Sequence, residues 1–378
     1  MIGKIFKTII IGAGPAGLSA GRYLADALIL DQKEEIGRPV QCAEGLSKKF
    51  LEREEILPSR KWISAIINEA QIILPNGKII HLAGKEQGYI LDRVGFEKFL
   101  ASQCQASLQL QNRVIDIKRE KNFWELRTDK GGVLKSKYLI GADGPFSIVR
   151  EKIFKEKLEM LPCIEYLVKL EKEIDNSVMK MYFDKERFPS GYAWLFPKSK
   201  NTANIGLGGK EKLQEKFKDF LENTIKKDFG NFELLENKSG VIPWGGAKIK
   251  LFKQNSFLVG DAGGLVDPVF GGGIGNAMIS GRVAAELILS GKAEIYDSKI
   301  KSMPFFSKDL IEAQKILYSF DNQVLNEIGE ILEKRGGDIF YFKNPLVLSD
   351  FLFKPNLRKN ILKFLKLLSI YRDWTRIS

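Results

Sequence analysis

A glycine-rich turn between an apolar run and a helix of small residues fixes the first thing this chain must build. Thr8-Ile9-Ile10-Ile11 reads as a buried strand, and Gly12-Ala13-Gly14-Pro15-Ala16-Gly17 follows without a spacer. Gly12 allows the tight turn, Gly14 lets the backbone approach a ligand, and Ala16 and Gly17 let the next helix press onto the strand. Free N–H groups and the positive end of the helix dipole then face the turn, which suits a pyrophosphate. A second apolar run, Ala27-Leu28-Ile29-Leu30, ends in Asp31, whose carboxylate can accept hydrogen bonds from ribose hydroxyls. Together these residues read as a cradle for an adenosine diphosphate.

Three later blocks decide which dinucleotide it holds. Asp92-Arg93 opens a helix-like stretch. Tyr138-Leu139-Ile140-Gly141-Ala142-Asp143-Gly144 is another strand running into an acidic, glycine-bearing turn. Phe257-Leu258-Val259-Gly260-Asp261 repeats that arrangement, then passes through Asp267-Pro268 and Gly271-Gly272-Gly273-Ile274 into a helix expected from about Gly275. A strand-end carboxylate beside freed backbone and a helix N-terminus can hold a ribityl chain and the edge of a ring. A nicotinamide-only enzyme has no need of them; a flavin does.

With these blocks in view, the chain resembles the FAD-dependent family that includes aromatic hydroxylases and geranylgeranyl reductases, over roughly residues 5 to 290. Two strings narrow the resemblance to the geranylgeranyl reductases, especially the archaeal enzymes that saturate digeranylgeranylglycerophospholipids. Glu35-Ile36-Gly37-Arg38-Pro39-Val40-Gln41-Cys42-Ala43-Glu44-Gly45 is similar to their cysteine-bearing flavin loop. Tyr192-Ala193-Trp194-Leu195-Phe196-Pro197, followed by Ile205-Gly206, is similar to their substrate motif. The resemblance implies FAD contacts at Gly12, Gly14, Ala16, Gly17, Asp31, Cys42, Ala43, Gly45, Arg93, Val114, Asp143, Asp261, Gly273 and Ile274. It implies a prenyl pocket lined by Tyr192, Trp194, Phe196 and Trp244, with Cys42 or Tyr192 as proton donor. The span from Gly12 to Asp31 is a few residues shorter than in the family, which predicts a shortened helix with almost no loop at Asp26.

Each of these residues has a plainer reading. A lone cysteine is most often a small buried hydrophobe, and Arg93 suits a salt link between domains. Tyr192, Trp194 and Phe196 alternate and share one face of a strand, as ordinary sheet packing also requires. Cys104, Cys163 and the single His81 are read as structural, and one histidine supports neither a His-based triad nor a zinc site.

The implied fold class is α/β: a Rossmann-like FAD-binding fold of the aromatic hydroxylase and geranylgeranyl reductase type. The FAD domain is expected from residues 1–160 and 246–292, interrupted by a mainly antiparallel substrate sheet at 161–245, with a helical, basic region at 293–378. A hairpin is expected from Gln71–Leu74 and Lys78–Leu82 around Pro75-Asn76-Gly77.

The chain has 378 residues and a formal net charge of +12, which suits an acidic partner. Half of that surplus is local: residues 341–378 carry eight Lys or Arg, Lys343 among them, against Asp350 and Asp373. No nucleic-acid motif accompanies it. Within that region Leu357, Ile361, Phe364, Leu365 and Leu368 form one helical stripe, with Lys359, Lys363 and Lys366 elsewhere. Such a helix either packs on the protein or rests on an anionic membrane. With three cysteines, no C-x-x-C, no apolar run of membrane-spanning length and no signal-peptide pattern, the expectation is a cytoplasmic protein, peripheral on the inner face of the cell membrane.

The expected activity is saturation of isolated double bonds in geranylgeranyl chains by hydride transfer from reduced FAD with protonation. The expected form is a monomer without metal. Ferredoxin, a free reduced cofactor and NADPH remain open as electron donor. The rival readings are a monooxygenase or halogenase of the same architecture, and a non-catalytic prenyl-lipid-binding flavoprotein.

Overall fold

The computed structural model describes residues 5–333 and 354–377, with side chains at 368 and 371–377 left aside. Lys343 and Asp350 of the basic region lie outside the described residues, as do the side chains of Leu368 and Asp373.

Two sheets organise the chain. The first contains β1 (Ile5–Ile11), β2 (Ala27–Leu30), β6 (Ser107–Gln109), β7 (Val114–Arg119), β8 (Trp124–Thr128), β9 (Val133–Gly141), β15 (Phe252–Lys253) and β16 (Ser256–Leu258). Its centre, β16-β9-β1-β2-β6, is wholly parallel. Ile9, Ile10 and Leu28 to Leu30 are buried on both sides, as a parallel layer covered by helices requires. Helices α1 (Pro15–Gly21), α2 (Lys48–Arg53), α3 (Arg93–Ser102) and α6 (Ile274–Leu289) accompany this sheet.

The join between β1 and α1 depends on glycine. Gly12 has φ +104, and a Cβ there would lie 2.2 Å from the carbonyl oxygen of Ala142. At Gly17 a Cβ would lie 1.9 Å from the Gly12 carbonyl oxygen, and at Gly281 2.0 Å from that of Ala16, so α1 is clamped between the turn and α6. The expected short helix is present, but the near-absence of a loop at Asp26 is not: α1 ends at Gly21, and residues 22–26 turn back into β2. A Cβ on Gly21 would lie 2.7 Å from Ile29 Cδ1, so the helix ends hard against the strand beside it.

The second sheet runs β14-β10-β13-β12-β11-β4-β5-β3. It draws β10 (Met160–Leu170), β11 (Val178–Tyr182), β12 (Ala193–Pro197), β13 (Thr202–Gly208) and β14 (Phe232–Pro243) from the segment where a sheet was expected. It also takes in β3 (Gly45–Ser47), β4 (Ile63–Ile73) and β5 (Ile79–Leu91), so the hairpin around Asn76 is the tip of a longer pair belonging to this sheet. One face packs Ile164, Leu195 and Ile205 against α4 (Leu213–Phe220), which continues through a π-helical turn into α5 (Lys226–Phe229). The other face turns Ile67, Ile72, Met181, Trp194 and Phe196 toward the C-terminal helices.

After α7 (Tyr296–Lys301), helices α8 (Lys308–Ser319), α9 (Asn322–Glu333) and α10 (Pro355–Ile377) close over that face. Leu357, Phe364 and Leu367 of α10 are buried in the shared core, whereas Leu362 is 80% exposed. The apolar stripe of α10 therefore packs on the protein.

Candidate active site

A single cavity of about 2130 Å³ runs from the β1–α1 turn, past the loop after β2, to the space between the second sheet and α8 to α10. Ligand pockets typically measure roughly 300–1,000 Å³. This one has room for a dinucleotide and a second long ligand.

At the first end, Gly14 and Ala16 stand in the wall, and a Cβ on Gly14 would meet nothing within 4 Å. Asp31, 6% exposed, ends β2 with Oδ2 accepting from Ala13 N at 2.6 Å and Oδ1 from Lys33 N at 2.7 Å. It braces the turn and faces the cavity. Val114 and Asp143 also line this end. Asp143 Oδ2 accepts from Ile148 N at 2.7 Å and closes its own turn, while Oδ1 is buried without a partner among the described residues. Burial pushes its carboxyl above the usual range.

Gly273 and Ile274 form the start of α6, which has no side-chain cap, and Asp261 faces the same space. Burial raises Asp261 to about 6, against the opposing charge of Arg93. Uncapped N–H groups of α6, a strand-end carboxylate, the open turn at Gly14 and the unpartnered Asp143 oxygen fit the phosphates, ribityl hydroxyls and ring edge of FAD.

At the middle, Cys42, Ala43, Gly45 and Arg93 line the wall. Cys42 Sγ accepts from Glu44 N at 3.2 Å; burial raises the thiol, with Arg93 opposing and Glu165 and Glu44 adding to the rise. Arg93 pairs with Glu97 of its own helix at 2.6 Å, and its Nε is buried without a partner among the described residues. This ion pair lies within α3, and the charge of Arg93 acts on Cys42 and Asp261.

Beyond it the cavity becomes apolar. Tyr192, just before β12, and Trp194 and Phe196 of β12 line it beside Ile72 and Ile80 of the β4–β5 pair, facing Leu325 and Ile328 of α9 and Phe364 of α10. Tyr192 stacks on Phe183 with ring centres 5.1 Å apart, and its hydroxyl donates to Phe270 O at 2.6 Å. Burial raises that phenol far above its ordinary value.

Two expected contacts lie elsewhere. Trp244 is buried edge-on against Tyr318 at 5.4 Å, outside the cavity wall, because its backbone N–H is held by Glu159 O at the end of β14. Gly17 is also outside the wall and serves the close approach of α1 to the Gly12 turn.

Sequence reasoning missed a polar chain behind the aromatic strand. Trp194 Nε1 donates to Glu165 Oε2 at 2.9 Å, and Lys238 Nζ bridges Glu165 Oε1 at 3.3 Å and Asn204 Oδ1 at 3.1 Å. Asn204 Nδ2 donates to Glu44 Oε2 at 2.7 Å, which also holds Lys198 Nζ at 2.5 Å. Only the odd charge of Glu165 within the strand-like run of β10 marked it. The apolar contribution of α9 and α10 was equally hidden, since their stripes read as ordinary helix packing.

Fold and cavity together define an FAD-dependent oxidoreductase. A family model for the geranylgeranyl reductase catalytic domain matches residues 159–242. The digeranylgeranylglycerophospholipid reductase of Methanococcus vannielii is 36% identical over 322 residues, spanning 80% of each chain. The chain belongs to the family of the digeranylgeranylglycerophospholipid reductases. A geranylgeranyl bacteriochlorophyll reductase-like protein of Thermoplasma acidophilum shares the fold with a TM-score of 0.81 at 24% identity, covering 95% of this chain and 99% of that one. A halogenase solved with FAD has a TM-score of 0.64 at 16% identity, covering 87% of this chain and 77% of its own. Among the described residues, no helix is long and apolar enough to cross a membrane.

Asp31 gives the first prediction. Asp31→Ala removes a carboxylate that braces the turn and lines the cavity where the sequence leads one to expect a ribose. Hydrogen bonds to charged groups are worth about 1.5–3 kcal/mol, so FAD affinity is expected to fall by about tenfold or more. Flavin fluorescence titration of the apoprotein measures it.

Proposed function

We propose that this protein saturates the double bonds of geranylgeranyl chains carried on archaeal-type membrane ether lipids. The observation that carries the reading is the continuity of the cavity. Its dinucleotide end opens, at Cys42 and Tyr192, into an apolar arm walled by β4, β5, β12 and the C-terminal helices.

When bound and reduced, FAD supplies the hydride. The chain's residues do the rest. Ile72, Trp194, Phe196 and Phe364 exclude water and hold the prenyl chain extended, while the aromatic faces of Tyr192 and Trp194 favour positive charge developing on it. Cys42 and Tyr192 were expected as proton donors, but burial makes both weaker acids. Their part in this reading is to shape the junction where the chain meets the cofactor. Leu362, Arg358 and Lys359 are exposed together on α10, and we infer that they touch an anionic membrane from which the lipid enters.

The test is a single turnover without oxygen. Holoenzyme reduced by dithionite is expected to have its flavin reoxidised by a geranylgeranyl lipid and not by its fully saturated counterpart. A monooxygenase or halogenase would need oxygen, and a lipid-presenting flavoprotein would leave the flavin reduced; either result overturns the reading. Because dithionite replaces the physiological donor, the outcome is the same whether that donor is ferredoxin, a free reduced cofactor or NADPH.

A further inference from the structure

We propose that Glu165 is the proton donor of the double-bond reduction, held in the cavity wall between Trp194 and Lys238; this rests on the reductase reading above.

Glu165 lies on β10, between β13 and β14, and pairs in register with Gly206 and Lys238. Its side chain is 6% exposed, and both Glu165 and Lys238 line the cavity beside Cys42, Cys163 and Trp194. A carboxyl so buried is costly unless its oxygens are met. Here they are met by two donors, the Trp194 indole at 2.9 Å and the Lys238 ammonium at 3.3 Å. The neighbouring backbone is shaped for the first of these. A Cβ on Gly206 would lie 2.2 Å from Trp194 Cζ2, so the indole can lie across β13 and reach Glu165 only because that residue is glycine.

Other acidic groups of the cavity are held or stand apart, Asp267 by the N–H groups of Val269 at 2.7 Å and Phe270 at 3.1 Å. The Tyr192 hydroxyl hydrogen is given to Phe270 O at 2.6 Å. Glu44 accepts from Lys198 and Asn204 on one oxygen and from Arg93 N at 3.2 Å on the other. Asp261 stands at the cofactor end, near the start of α6.

The groups acting on Glu165 come from every neighbouring element: Lys238 from β14, Asn204 from β13, Trp194 from β12, Glu44 and Cys42 from the cofactor loop, and Cys163 from its own strand. Arg93 of α3 faces the same cluster through Cys42. Burial is the largest influence and raises Glu165 to about 7, with Lys238 and Trp194 pulling it down and Glu44 pushing it up. An acid matched to neutral pH is the most effective general acid there.

In each cycle the Glu165 O–H bond breaks as a C–H bond forms on one alkene carbon, and the other carbon takes the hydride. The alkene is reduced and the reduced flavin is oxidised. The carboxylate left behind lies beside the Lys238 ammonium, which offsets its charge, and takes its next proton from solvent before the following turnover.

The experiment compares wild type, Glu165→Gln and Glu165→Asp as dithionite-reduced holoenzymes mixed anaerobically with a geranylgeranyl lipid over a range of pH. An acid must be protonated to act, so the wild-type rate is expected to fall as pH rises through about 7. Glu165→Gln keeps the shape and an oxygen for the indole N–H. It is expected to slow by ~10²–10⁴-fold and to lose that fall with pH, while flavin content and lipid affinity hold. Glu165→Asp is expected to recover part of the rate together with the pH dependence.

A Glu165→Gln enzyme as fast as wild type, or slow with the same fall, overturns the proposal. So does a loss of rate matched by a loss of lipid binding, which would make Glu165 only a support for Trp194. If Glu165→Gln does not fold, a Glu165→Asp enzyme with neither slowing nor a shifted pH profile overturns it as well. A wild type that reduces no prenyl chain removes the reductase reading itself, and that is seen before any variant is compared.

Discussion

Gly12→Ala is expected to give a protein without bound FAD and destabilised by about 3 kcal/mol or more. Two costs add. The backbone at Gly12 has φ +104, which an L side chain rarely adopts. The new Cβ would also stand 2.2 Å from Ala142 O, 2.6 Å from Ala142 C and 3.0 Å from Asp143 Cα. All three are backbone atoms of the turn after β9, and none can swing aside as a flexible side chain would. That turn is tied to β1 by Ala142 N donating to Ile11 O at 2.8 Å, so relief at Gly12 displaces Asp143 as well.

Gly14→Ala is the control, because its Cβ meets nothing within 4 Å. Its thermal unfolding is expected to match wild type and its FAD binding to weaken, since a Cβ there would enter the cavity at the turn expected to receive the cofactor. Thermal unfolding and flavin content of the purified proteins check both. A Gly12→Ala protein with wild-type stability and full flavin would contradict the role given to the turn.

Trp194→Ala is expected to abolish turnover while leaving FAD bound. Removing a large buried aromatic costs about 3–5 kcal/mol. Trp194 is 7% exposed and packs edge-on against Tyr192 with ring centres 5.9 Å apart. Its loss leaves Glu165 Oε2 without its indole donor and widens the cavity where the chain must be held. Trp194→Phe separates these effects by keeping most of the packing and losing the N–H. The indole bond favours ionised Glu165; without it the carboxyl stays protonated to higher pH. The alkaline fall in rate should therefore move upward in Trp194→Phe, and pH profiles of turnover beside denaturant titrations measure both parts.

The β1–α1 turn was legible because its close backbone approaches need particular residues at particular spacings. A glycine turn after an apolar strand admits few alternatives, and Asp31 and Asp261 each stand where a strand gives out. The aromatic face of β12 was legible from period-two alternation alone, and Trp194 and Phe196 do share the core on the cavity side while Leu195 lies on the other.

What escaped the sequence depended on tertiary placement. β14 went unread as a strand because Glu233 to Glu236 are exposed at a sheet edge and carry no alternation. β4 and β5 read as an isolated hairpin, since nothing local says that β4 will lie parallel to β11, more than a hundred residues away. Trp244 was expected on the pocket's far side, but its neighbour in space is Tyr318 of α8. Glu165 and Lys238 sit on different strands, and only the register of β10 with β14 makes them a pair.

The central claim is that hydride and proton meet on a prenyl double bond inside this cavity. The most direct measurement is the mass of a geranylgeranyl ether lipid recovered after anaerobic incubation with the reduced holoenzyme in deuterated water. Each bond reduced is expected to gain two deuterium atoms, because the hydrogen carried by reduced flavin and the carboxyl proton both exchange with solvent, with no oxygen or halogen incorporated. A lipid recovered unchanged from a protein that binds both FAD and the chain would contradict it.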